Sequence, residues 1–159
     1  MTPAGAVPGL SIELQPEPVI LRLCLWAEAR GEPVIGRLAI LYVLENRAIH
    51  RGSTLKTEVL RPRQFSSFND DDPNRPLLLD AHTSDRAGWA AVDAICSLYE
   101  SHATNNPVAD STHYYRFDME HPPTWGRGNT GWKERMVLGH HVFGIAGERA
   151  PVTPDNTAA

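Results

Sequence analysis

The chain has 159 residues, 42% of them hydrophobic and 21% charged, with a formal net charge of -4. That length accommodates one domain with its own core, and the mild acidity disfavours a nucleic-acid binder, which would carry a basic face or stripe. Cys24 and Cys96 both lie in apolar, helix-like stretches, which reads as two buried thiols rather than a disulfide or a zinc pair.

Residues 1–16 are rich in proline, glycine and alanine without periodicity, and predict a flexible leader. They carry neither the positive start nor the continuous apolar run of a secretory signal, and no stretch approaches the roughly 20 apolar residues of a membrane span. A soluble protein made in the cytoplasm, with no stable membrane insertion, is expected. Pro18 suits a first helical turn, and Val19, Ile20, Leu23, Cys24 and Ala27 then recur at helical spacing. Gly31 is placed to end this helix at about Arg30 as a left-handed terminal residue. A second helix runs from Pro33 to about His50, apolar almost all round between Leu38 and Leu44, and is stopped by Gly52.

Ser53 or Thr54 caps a short helix through Leu55, Val59 and Leu60, which ends before Pro62. The polar loop at 63–73 carries two aromatics, Phe65 and Phe68, and has the mixed character of a binding surface. Ser84 or Asp85 caps a long helix with Trp89, Val92, Ile95, Cys96 and Tyr99 on one face, running to about Ser101. Residues 112–117 are β-prone, 121–126 form a turn-rich loop, and 134–138 and 140–145 read as short strands split by Gly139. The expected organisation is a single domain at 17–147 followed by a flexible tail at 148–159.

One residue stands out from this pattern. The apolar run Val19–Trp26 leads straight to Glu28, in the last turn of the first helix. A helix C-terminus disfavours a carboxylate anion, and packing beside Trp26 would desolvate it, so both effects raise the expected pKa. Glu28 is therefore a candidate catalytic acid.

Four stretches in one order extend that reading. Trp26-Ala27-Glu28-Ala29-Arg30-Gly31-Glu32-Pro33, followed by a helix ending Leu44-Glu45-Asn46-Arg47, resembles the opening of the bacterial cell-wall hydrolase domain of spore-cortex-lytic enzymes. Gln64-Phe65-Ser66, Thr112-His113-Tyr114-Tyr115 and Gly139-His140-His141-Val142-Phe143 are similar to that family's later motifs. The resemblance spans roughly residues 20–145. It implies an α+β, mainly helical, lysozyme-like fold with a small antiparallel sheet, and cleavage of peptidoglycan glycan strands with Glu28 as the acid. The acidic, proline-broken stretch at 70–76 and the Pro122-Pro123-Thr124-Trp125 loop depart from the family pattern, the first beside the expected cleft. A catalytic domain without an export signal looks like a phage endolysin, released through a holin to reach the wall and acting as a monomer.

Glycosidic cleavage needs a proton delivered to the leaving oxygen as positive charge develops at the sugar carbon. A hydrolytic muramidase (a lysozyme) also needs a second carboxylate about 5–10 Å away. Glu32 reads better as a charge at the start of the second helix, and Asp70, Asp71 and Asp72 as solvated loop residues. A lytic transglycosylase fits instead, in which Glu28 serves as acid and base and the C6 hydroxyl of muramic acid attacks to give a 1,6-anhydro product. Gln64, Ser66, Tyr114, Tyr115 and Trp125 are candidate sugar contacts. Phe65 is expected in the core, and His113 and His141 to meet across the sheet. No cofactor or metal is expected. The seven histidines include no His-Glu-x-x-His pattern, which disfavours a zinc amidase. A non-catalytic wall-binding module remains the alternative from another class.

Overall fold

The computed structural model describes residues 5–62, 64–127 and 130–147. The apolar run folds into α1 (Glu17–Ala29), entered through Pro16 with Pro18 in the first turn, where a missing N–H breaks no bond. Leu23, Cys24 and Leu25 are completely buried, so α1 is a central helix. Arg22 is buried with it, its guanidinium 2.6 Å from Asp93 and 2.7 Å from Glu100.

α2 (Val34–Arg51) is buried all round between Ala39 and Leu44, and Gly52 closes it at φ +63°. Thr54 caps α3 (Leu55–Leu60), accepting the Thr57 N–H at 3.1 Å. The proline-broken stretch leads into two short helices that periodicity did not predict, α4 (Arg75–Leu78) and α5 (Ala81–Ser84). Four residues are too few to show a repeat. Asp85 then caps α6 (Arg86–Glu100), accepting the Gly88 N–H at 3.0 Å. α1 packs against α2, α3 and α6.

The expected strands form an antiparallel sheet of β1 (His113–Arg116), β2 (Lys133–Leu138) and β3 (His141–Ile145), in the order β1-β3-β2. Gly139 opens the two-residue β2–β3 turn at φ +58°, a conformation that glycine adopts without strain. Register pairs Tyr114 with Phe143 and Arg116 with His141. Opposed residues share a face, so these four lie on the helix side, where Tyr114 and Phe143 join the main core. His113, Tyr115 and Val142 lie on the other face, where Tyr115 and Val142 cluster with Trp125. His113 and His141 therefore do not meet. The His113 ring lies 4.9 Å from Trp125, and the His141 ring 5.0 Å from Tyr114 on the opposite side.

Part of the expected leader is ordered against the body. Ile12 enters the core from a 3-10 turn at Ile12–Leu14, and Gln15 is fully buried. The Gln15 amide accepts the Val7 N–H and donates to the Val7 and Leu10 carbonyls, closing a local loop that composition cannot reveal. Residues 1–4 and the expected tail at 148–159 lie outside the described residues. The result is the expected mainly helical fold with a small sheet.

Candidate active site

Glu28 is half-buried in the last turn of α1, with its Oε1 atom buried. One turn earlier lies Cys24, whose thiol is pushed well above its ordinary range by burial and then by the Glu28 charge. Pairing with Arg22 or Arg30 would have made Glu28 an ordinary surface acid. Arg22 is instead committed to Asp93 and Glu100, and the Arg30 guanidinium lies over the Trp26 ring at 4.4 Å.

Successive residues of an α-helix are about 100° apart around its axis. Near the end of α1, Leu25, Trp26 and Ala29 are buried, whereas Ala27 and Glu28 are half-buried and Arg30 and Gly31 exposed. The solvent-reaching arc thus has Ala27 near its middle, with Glu28 on one flank and Arg30 on the other.

The helix does not end as its glycine suggested. Gly31 is not in the left-handed conformation, and Glu32 N–H reaches the Ala29 carbonyl at 2.9 Å. The remaining carbonyls are capped from α2: the Arg37 guanidinium donates to Ala29 O at 3.1 Å, Glu32 O at 2.9 Å and Arg30 O at 2.6 Å. A side chain supplies the donors that a left-handed glycine would have brought.

Glu32 is likewise not a charge on the start of α2, whose first turn holds no acidic residue. It is buried, and its Oε2 accepts the His140 Nδ1–H at 2.9 Å and the His140 backbone N–H at 3.2 Å. Its Oε1 lies 3.3 Å from His141 Nδ1, without hydrogen-bond alignment. Burial lowers the His141 pKa, against the pull of Glu32. Glu32 bolts the α1–α2 corner to the β2–β3 turn.

The other predicted residues separate into groups. Gln64 is buried, Phe65 is in the core as expected, and Ser66 is half-buried in the 3-10 turn Ser66–Phe68. Tyr114 faces the helices, and Tyr115 the opposite side of the sheet. Trp125 is not an exposed platform. It is buried against Tyr115 and Trp132, at ring distances of 6.0 and 5.4 Å, and anchors its loop on the outer face. Asp70 is 97% exposed along its side chain, 3.6 Å from Arg75, and with Asp71, Glu13 and Arg61 lines a separate cavity of about 370 Å³. Asp72 accepts the Asn74 N–H at 2.8 Å. Ser67, the residue after the second motif, joins Trp26, Ala27 and Arg30 in the wall of a smaller cavity beside α1.

Glu45-Asn46-Arg47 has a placing role that sequence reading missed. Glu45 accepts the Tyr99 hydroxyl at 3.0 Å, Asn46 donates to the Ala109 and Ser111 carbonyls, and Arg47 donates to Thr112 O at 2.5 Å. Burial lowers the Arg47 pKa to about 10. The Asn46 and Arg47 bonds fix the chain entering β1, and so place Tyr114, while Glu45 ties α2 to α6. Three consecutive polar residues after the apolar middle of α2 were the available signal. Among the described residues no group of three or more His, Cys, Asp or Glu side chains is placed to hold a metal ion.

No protein-family model and no curated protein matches the sequence. Among solved structures, the chain is similar to the catalytic domain of the germination-specific lytic transglycosylase SleB from Bacillus anthracis. The TM-score is 0.58, with 16% sequence identity, over 87% of this chain and 98% of that one. The two share a fold, the one implied by the resemblance of the four motifs.

Proposed function

We propose that the chain cleaves the glycan strands of peptidoglycan between N-acetylmuramic acid and N-acetylglucosamine, as a lytic transglycosylase with Glu28 as its one acid and base. The observation that carries this reading is the position of Glu28: a half-buried carboxylate with a buried oxygen, in the last turn of a buried helix, on the flank of a solvent-reaching arc. Partial burial and the negative end of the helix both favour the protonated acid that the first step needs. The shared fold with the SleB catalytic domain supports the same chemistry.

In the forward step Glu28 gives its proton to the glycosidic oxygen as the bond from the muramic C1 breaks. The C6 hydroxyl of the same sugar then bonds to C1, and the Glu28 carboxylate takes that hydroxyl's proton. No water is consumed, and the products are a 1,6-anhydro-muramyl end and a free 4-hydroxyl on N-acetylglucosamine. A hydrolytic route would need a second carboxylate about 5–10 Å from Glu28. Glu32 is held by His140, and Asp70 faces another cavity, which favours the one-carboxylate scheme. Release as an endolysin through a holin belongs to the same proposal. Its signature is lysis of producing cells only when a holin is co-expressed.

Mass spectrometry of the muropeptides released by wild type and Glu28→Gln tests the chemistry. Anhydro ends are expected from wild type, with a loss of about 10²–10⁴-fold in Glu28→Gln. Reducing, non-anhydro ends alone would replace the scheme with hydrolysis. Undiminished cleavage by Glu28→Gln would remove Glu28 from the mechanism.

A further inference from the structure

The stretch at 70–76, which departs from the family pattern, helps to build a cavity next to Glu28. Asn74 from this stretch, with Leu77 of α4 and Ser67, closes a space of about 90 Å³ over Trp26, Ala27 and Arg30. It has room for a carboxylate or a small amide. Ala27 lines this cavity and lies between Arg30 and Glu28 on α1, so the space opens one small residue from the proposed acid.

Its chemistry is that of an anion site. Trp26 Nε1 donates to Asp85 at 2.9 Å, which fixes the indole, and the Arg30 guanidinium stacks on that ring at 4.4 Å. A stacked guanidinium is held in plane with its donors free, the geometry that matches a carboxylate. Arg30 makes no ion pair among the described residues; Asp85 feels its charge from farther off. The side chains of Ser67 and Asn74 make no hydrogen bonds among the described residues either, and each can serve an oxygen or an amide beside such a carboxylate.

We propose that this cavity is a side-arm subsite in which Arg30 pairs with a carboxylate carried on the lactyl arm of muramic acid, with Ser67 and Asn74 holding its neighbouring polar atoms. The proposal rests on the glycan-cleaving reading above and deepens it. The carboxylate is either the lactyl group itself, on stem-free muramic acid, or the nearest acid of the peptide stem.

Calorimetric binding to Glu28→Gln, with and without Arg30→Gln, distinguishes these sources. Three glycans serve as probes: stem-bearing, stem-free, and stem-free with the lactyl carboxylates amidated. Arg30→Gln is expected to weaken binding of the stem-free glycan about tenfold and to leave the amidated one within about twofold. Weakening confined to the stem-bearing glycan assigns the carboxylate to the peptide. Asn74→Asp, an exposed change that brings a negative charge to the cavity, should reproduce the same selectivity. Equal weakening of all three glycans, no weakening of any, or no binding at all would overturn the subsite. Undiminished cleavage by Glu28→Gln would defeat the proposed chemistry while leaving the binding comparison to decide the subsite.

Discussion

Glu28 and Glu32 stand four residues apart, yet a helix terminus lies between them and gives them different surroundings. Glu28 is still on α1, with one oxygen buried near the negative end of the helix. Glu32 lies past the turn, where it meets a ring N–H and a backbone N–H of His140. Two donors hold its Oε2 atom within the fold. Glu32→Gln keeps an acceptor oxygen and loses the charge. It should cost about 1–2 kcal/mol, or a few degrees in Tm, and leave glycan cleavage within several-fold of wild type. Melting curves and muropeptide release on the same preparations check this. A loss of cleavage as deep as that of Glu28→Gln, in a folded protein, would make Glu32 the second carboxylate. The position of Glu28 at the end of α1 was legible in the sequence because an acid after a long apolar run is a local signal. The role of Glu32 was not, because its partners lie 108 residues away along the chain.

At the scale of elements, the end of α1 depends on α2. The Arg37 fork spans three carbonyls at the corner between the two helices, so it fixes the direction in which Glu28 and Arg30 leave α1. Arg37→Ala should lower stability by about 1–3 kcal/mol and reduce kcat further than folding loss explains, because the last turn frays. Arg37→Lys should rescue little, since an ammonium lacks the planar fork. Urea titrations beside initial cleavage rates test this, and full rescue by lysine would show that charge alone is needed. The long elements were readable for physical reasons: periodicity over 17–29, 34–51 and 86–100, and glycine or a side-chain cap at Gly52, Thr54 and Asp85. The short helices α4 and α5 and the Gln15 loop were not, since each is held by contacts and not by a repeat. Trp125 reads as a candidate sugar contact in its proline-rich loop because sequence cannot show that Tyr115 and Trp132 cover it.

Across the whole molecule, buried charge makes the fold depend on pH in two separate ranges. Burial lowers the His141 pKa below its usual 6.5, more strongly than Glu32 raises it. Below pH 6.5 the unfolded chain therefore takes a proton that the folded state refuses, and stability falls as pH drops toward the folded pKa. Glu58 is fully buried at the end of α3. Burial raises its pKa, but hydrogen bonds from Arg61 and Ser53 with the charge of Arg51 outweigh that and hold it below the usual 4.5. Its contribution is complete above pH 4.5 and is lost as pH falls through the lower folded value. Asp85, Asp110 and Asp118 are also lowered, by hydrogen bonds from Trp26, Arg135 and Arg116 respectively, and add to the same acid range from more exposed sites. Unfolding free energy followed by urea titration should therefore decline once from about pH 6.5 and again below about 4.5. His141→Gln should flatten the first decline and leave the second. Glu58→Gln should remove part of the second and cost about 3–5 kcal/mol at neutral pH, because two arginines lose a buried partner. Added salt should shrink the share of the exposed aspartates and spare that of Glu58, which is screened far less. A single decline beginning near pH 4.5 in wild type and His141→Gln alike would show that the His141 proton is not coupled to folding.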